Sequence, residues 1–199
     1  MRSVVLAFLV AAGLSGFLFA EETPQRVSIQ IVGATIAPSR VDGSKWLGFG
    51  KAKAAQVSKV MDALLMAEPH VAVINALAQV AMSTSDKPIP YGVVDVATAG
   101  KFHTNARKGF GDSRQHSFTP FFGNINYQDI PLDYGTRIEV RMWNYHPIEK
   151  RNIDPIGVAE INSDDLKKAL DSQKIYQLNV SDQTQNQLLF IAIEVRAQE

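Results

Sequence analysis

The chain has 199 residues, 20 basic against 20 acidic, and a net charge of zero, so no global positive field marks it as a nucleic-acid binder. It has no cysteine, which excludes a disulfide scaffold and a lipid-bearing thiol. A hydrophobic share of 46% is enough for one globular domain whose fold rests on its core alone.

The first twenty residues, MRSVVLAFLVAAGLSGFLFA, set one arginine before an unbroken apolar run that ends ahead of Glu21-Glu22. That layout predicts a secretory signal peptide cut after Ala20, leaving residues 21–199 as a single domain. Val4 to Ala20 is also near the minimum length of a bilayer span, so an uncleaved anchor is the alternative. Either reading places the domain outside the cytoplasm, as a periplasmic, secreted or cell-surface protein.

Val27, Ile29 and Ile31 alternate with polar neighbours and predict a first strand, followed by a Gly-rich polar loop, PSRVDGSKWLGFG. From about residue 51 to 82 the apolar period changes to that of helices. Val57, Val60, Met61, Leu64 and Leu65 form one stripe and Val73, Ile74, Leu77 and Val80 a second, with Pro69 opening the second helix. The pair reads as a packed insertion; a membrane-inserting hairpin is the sharper alternative, opposed by Lys51, Lys53, Lys59, Asp62 and Glu68 on its polar face.

Beyond Met82 strand patterns run to the end: Tyr91–Val96, Lys101–Thr104, Phe118–Tyr127, Arg137–Trp143, Gly157–Ile161 and Gln187–Arg196. Gly109–Gln115 reads as a connection, and SDDLKKAL as a short helix capped by Ser163. Many strands separated by turns, with little helix outside the early pair, predict an all-β antiparallel sandwich.

Several landmarks then fall in one order. Asp42-Gly43 follow the first strand, Lys87-Pro88-Ile89-Pro90-Tyr91-Gly92 open the second, and Thr104 ends a strand begun at Lys101. Thr119-Pro120-Phe121-Phe122-Gly123-Asn124 begin the next, and Ile138-Glu139-Val140-Arg141-Met142-Trp143-Asn144 lead to Asp154-Pro155-Ile156-Gly157. This order resembles a C2 domain, the eight-stranded Greek-key β-sandwich used widely for calcium-dependent membrane binding, in the form circularly permuted relative to synaptotagmin's topology.

The resemblance implies a calcium site built by aspartates from two loops. Asp42 and Asp154 match two of those positions, while Ile89, Asn144 and His146 stand where the pattern has aspartates. Asp42, Asn144 and Asp154 are therefore the candidate ligands of a weak calcium site. Calcium affinity rises with the number of carboxylates, so the expectation is a loop with weak or no calcium dependence. Asp86, near Ile89, could substitute or simply be solvated. The four histidines have no metal-ligand spacing.

Two stretches could meet a partner. Lys101, Arg107, Lys108 and Arg114, interleaved with Phe102 and Phe110, form a basic, partly aromatic run of the kind that in C2 domains meets anionic headgroups, although a solvated strand explains it as well. Trp46, Leu47 and Phe49 either anchor in lipid or form the apolar floor on which the helices pack, and the helices' need for a floor favours packing. No phosphate loop, nucleophile elbow or zinc-protease helix is present. The expected function is thus a non-enzymatic, exported C2-like binding module for a membrane surface or protein partner. The alternatives are an enzyme using Asp42, His146 and Asp154 between the helices and the loops, and a structural subunit of an envelope assembly.

Overall fold

The computed structural model describes residues 24–99, 101–102, 107–112, 114–147, 151–181 and 187–198. The expected signal segment and Thr104 lie outside them.

Two antiparallel sheets face each other. The first has the order β5-β1-β9-β8, formed by Phe121–Leu132, Gln25–Ile36, Leu188–Ala197 and Tyr176–Asn179. In the second, β2 (Pro90–Thr98) pairs with β6 (Arg137–His146), which pairs with β7 (Arg151–Ile161). The other side of β2 carries β3 (Lys101–Phe102) and β4 (Lys108–Gly111).

The all-β sandwich with an inserted helical pair is the fold the sequence predicts, with three local corrections. The edge beside β2 is divided into β3 and β4, so nine strands replace eight among the described residues, and part of the expected Gly109–Gln115 connection is strand. β8, four residues long, was too short to give a periodic signal. The cap of α3 (Ser163–Ser172) is Asn162, whose side chain accepts from the Asp164 and Asp165 N–H groups, and Ser163 lies inside the helix.

The core is the alternation made solid. Val27, Ile29 and Ile31 of β1, Ile191, Ile193 and Val195 of β9, Val94 and Val96 of β2, and Ile138, Val140 and Met142 of β6 are all buried between the sheets. The Tyr127 hydroxyl crosses that layer to donate to the Val94 carbonyl at 2.9 Å, and burial pushes its pKa up. Gly33 sits where β1 bulges against Pro120. A Cβ there would stand 2.5 Å from the Pro120 carbonyl oxygen, so the close approach requires glycine.

The insertion forms α1 (Ala54–Leu64) and α2 (Pro69–Ser83), with Pro69 in the first turn of α2 as the sequence predicts. Val60 and Ala63 of α1 and Val73, Leu77 and Val80 of α2 join the sandwich core. The His70 ring stands edge-on to Phe190 of β9 at 5.3 Å between centroids, and burial lowers its pKa. The pair is therefore a packed part of the domain. Leu77→Ala should cost about 3 kcal/mol, as for a buried leucine truncated to leave a cavity. Thermal denaturation should register this as a fall of about 6 to 12 °C, and no fall would mean that the pair is not seated on the core.

Candidate functional site

The loop after β1 makes a narrow excursion, closed where Ser44 bridges Lys51 and where the Lys45 N–H donates to the Gly50 carbonyl at 3.1 Å. Trp46 at its root is 0% exposed, and its indole N–H donates to the Ala37 carbonyl at 3.0 Å. Leu47 is partly buried against the core, whereas Phe49 at the tip is 103% exposed. The trio splits accordingly. Trp46 and Leu47 serve as floor and Trp46 is closed to any membrane or partner contact, while Phe49 is free to make one.

Asp86, just past α2, explains why the tip stands out. Its carboxylate accepts from three successive backbone N–H groups, Trp46 at 2.9 Å, Leu47 at 2.7 Å and Gly48 at 3.0 Å. These charge-assisted bonds tie the segment leaving the helices to the segment leading into them. Asp86 is thus neither an ion ligand nor an idle solvated charge. Its spacing of about forty residues from its partners left no sequence signal.

The expected calcium ligands are engaged elsewhere. Asp154 meets the chain's own cation, Arg40, at 2.5 Å, and the same guanidinium nitrogen donates to the Trp46 carbonyl at 2.7 Å. Asn144 is fully buried. It accepts from the Ile89 N–H at 2.8 Å and donates to the Trp46 carbonyl at 3.1 Å, which an aspartate could not do. Asp42 closes a turn on the Ser44 N–H at 2.8 Å, and that hydrogen bond lowers its pKa. Ile89 is buried. Among the described residues no three His, Cys, Asp or Glu side chains could share a metal ion. Of the expected calcium ligands, Asn144 and Asp154 are brought together, with the Asn144 amide nitrogen 3.4 Å from an Asp154 carboxylate oxygen, while Asp42 is turned onto Ser44.

The basic stretch is largely spoken for. Asp95 stands on the outer face of β2 with its side chain 3% exposed, beneath two arginines. Arg107 grips it bidentately at 2.7 and 3.0 Å, and Arg141 of β6 bonds to its second oxygen. Arg141 also pairs with Glu139 at 2.7 Å. The Arg107 hydrogen bond holds the Asp95 carboxyl below its usual range against the opposing effect of burial, and Asp95 in turn raises the Arg107 pKa. Lys108 donates to the Asn126 carbonyl of β5 and lies 4.9 Å from the centre of the Tyr127 ring. Lys101 is exposed at the start of β3. The run of Lys101, Arg107 and Lys108 therefore does not form a patch of free cations: Arg107 is tied to Asp95, and Lys108 is turned onto the neighbouring strand.

No protein-family model matches the chain, and no curated protein matches it. Solved structures similar to it include C2 domains, the family whose motifs the sequence resembles. The first C2 domain of plant Extended Synaptotagmin 1 shares 9% identity over 88% of this chain and 95% of that one, with a TM-score of 0.44. A structure of Extended-Synaptotagmin 2 holding its SMP domain and two C2 domains shares 12% identity over 86% of this chain and 27% of that one, with a TM-score of 0.39. Human GIVD cytosolic phospholipase A2 shares 10% identity over 89% of this chain and 17% of that one, with a TM-score of 0.40. At such distances the function has to rest on this chain's own residues.

Two measurements probe the site. Asp95 has a lowered pKa when folded, so its stabilisation is present above the unfolded carboxylate pKa of about 3.9 and is lost as pH falls through the folded value. Asp95→Asn should lower the unfolding midpoint at pH 7, and its gap to the parent should begin to close only below about pH 4; a difference independent of pH would sink this account. Millimolar calcium should leave the midpoint of the parent chain where it stands in chelator, because Arg40 already neutralises Asp154. A rise abolished by Asp154→Asn would overturn that.

Proposed function

We propose that the chain is an exported, non-enzymatic binding module that meets a membrane surface through the end carrying the helical insertion. The observation that carries this reading is Phe49, fully exposed at the tip of a loop whose root is held by a buried tryptophan and three hydrogen bonds to Asp86. Holding an aromatic ring in water on a fixed support costs free energy that burial in another phase would recover. Lys45, Lys51 and Lys53 flank the tip and suit an anionic surface. With Arg40 set against Asp154, docking at this end would have weak or no calcium dependence.

A protein partner is the second reading, favoured by α2. Its fifteen residues include no charged side chain, and Val71 and Met82 are exposed on it. Protein interfaces are depleted in charge at their centres, so such a face fits docking as well as it fits lipid. Export itself rests on the apolar leader and its acidic boundary.

Co-sedimentation of residues 21–199 with vesicles of phosphatidylcholine and phosphatidylglycerol tests the membrane reading. Binding should be weakened about tenfold or more by Phe49→Ala, the loss expected for one buried aromatic side chain. Failure of the parent protein to sediment would sink the membrane reading and turn the search to proteins crosslinked through Val71→Cys or Met82→Cys.

A further inference from the structure

Between the loop leading into α1 and the segment leaving α2 lies an open cavity of about 440 Å³. Lys45, Lys51 and Lys53 line it together with Gln56, Ser83, Thr84 and Ser85. The acid in its lining is Asp86, whose two oxygens are taken up by the Trp46, Leu47 and Gly48 N–H groups. Three lysines against one carboxylate make the lining net positive, with the Asp42 carboxylate acting on Lys51 from outside it.

Among the described residues no carboxylate pairs with any of the three lysines. Lys51 donates to the Asp42 carbonyl, and the Lys45 and Lys53 ammonium groups have no hydrogen-bond or ion-pair partner among the described residues. Hydroxyl donors remain as well. Thr84 Oγ1 accepts from the Asp86 N–H at 3.0 Å, which leaves its own proton to donate, and the Ser85 hydroxyl makes no bond among the described residues. Gln56 is positioned by donating to Ser83 Oγ at 2.6 Å.

We infer that this cavity binds a phosphate monoester. Near neutral pH such a group carries a charge of about −1.5 to −2 and presents three acceptor oxygens, which suits a net positive lining that offers both ammonium and hydroxyl donors. A single carboxylate would bring less charge and fewer acceptor oxygens. The phosphate could belong to a lipid headgroup, with Phe49 of the same loop entering the apolar layer beside it, or to a soluble phosphorylated molecule. The inference goes beyond the membrane reading and survives without it.

The test titrates inorganic phosphate into residues 21–199 and follows backbone NMR shifts. Saturable shifts confined to residues 45–56 and 83–86 are expected. The apparent Kd should rise about tenfold in Lys45→Ala/Lys53→Ala, as two charge-assisted contacts are lost, and stay unchanged in Lys59→Ala on the exposed face of α1. Shifts that do not saturate, or that the double variant leaves intact, would overturn the site.

Vesicles assign the source. Phosphatidylcholine containing phosphatidic acid, a monoester, is compared with phosphatidylcholine containing phosphatidylglycerol, a diester, at equal surface charge. A preference for phosphatidic acid that depends on Lys45 and Lys53 supports the site and assigns it to a lipid headgroup. Phosphate binding without that preference supports the site and assigns it to a soluble ligand. Vesicle binding that needs Phe49 but shows neither saturable phosphate shifts nor the preference overturns the site while leaving the membrane reading standing.

Discussion

The Asp86 carboxylate is the constraint on which the functional end depends. An insertion of some forty residues costs loop-closure entropy unless its two ends are brought together. Asp86 does this by gathering three N–H groups from the incoming strand of the neck, while Gln56 reaches Ser83 beside it. Hydrogen bonds to a charged acceptor contribute about 1.5 to 3 kcal/mol each, which for three of them is comparable to the cost of closing such a loop. The same contacts fix the direction of the Phe49 tip and bring the lysines of residues 45–53 and the hydroxyls of residues 83–85 to one cavity. Binding chemistry and closure of the neck therefore share one group.

Next to the neck, a set of internal polar bonds stands where the resemblance implied an ion site. Arg40 brings a fixed positive charge to Asp154, and Asn144 links the Ile89 N–H to the Trp46 carbonyl. A partly buried carboxylate without a partner is costly, and a tethered guanidinium satisfies Asp154 without needing a free ion from solution. The geometry of this end is thus set by the covalent chain. The outer face of the second sheet follows the same logic, with Asp95 accepting bonds from two arginines that would otherwise add to a basic surface.

These arrangements tie several of the sandwich's charges to one another, and further exposed apolar and charged groups stand at the insertion. Exposed apolar residues there include Phe49, Leu65, Met66, Val71 and Met82, and Lys45 and Lys53 are among the charges with no ion-pair partner among the described residues. An end that joins apolar side chains to free cations is suited to a surface having both an apolar layer and negative charge.

Much of the fold could be read from the sequence, because burial imposes a period that survives in the residue order. Val27, Ile29 and Ile31 announced a strand facing a core, the stripes from Val57 to Val80 announced two helices, and Pro69 marked the first turn of the second. β4 escaped because its glycines carry no apolar signal, and β8 because four residues hold too few periods. The site was less legible. The sequence supplied the residues Asp42, Asn144, Asp154, Trp46 and Phe49, but charge pairing and burial depend on partners far apart in the chain. Only the tertiary structure decided that Arg40 would meet Asp154, that Trp46 would be buried while Phe49 stood free, and that Asp86 would close the neck. Periodicity is a local property of the chain, whereas a hydrogen bond between residues forty or a hundred positions apart exists only once the sheets and helices have packed.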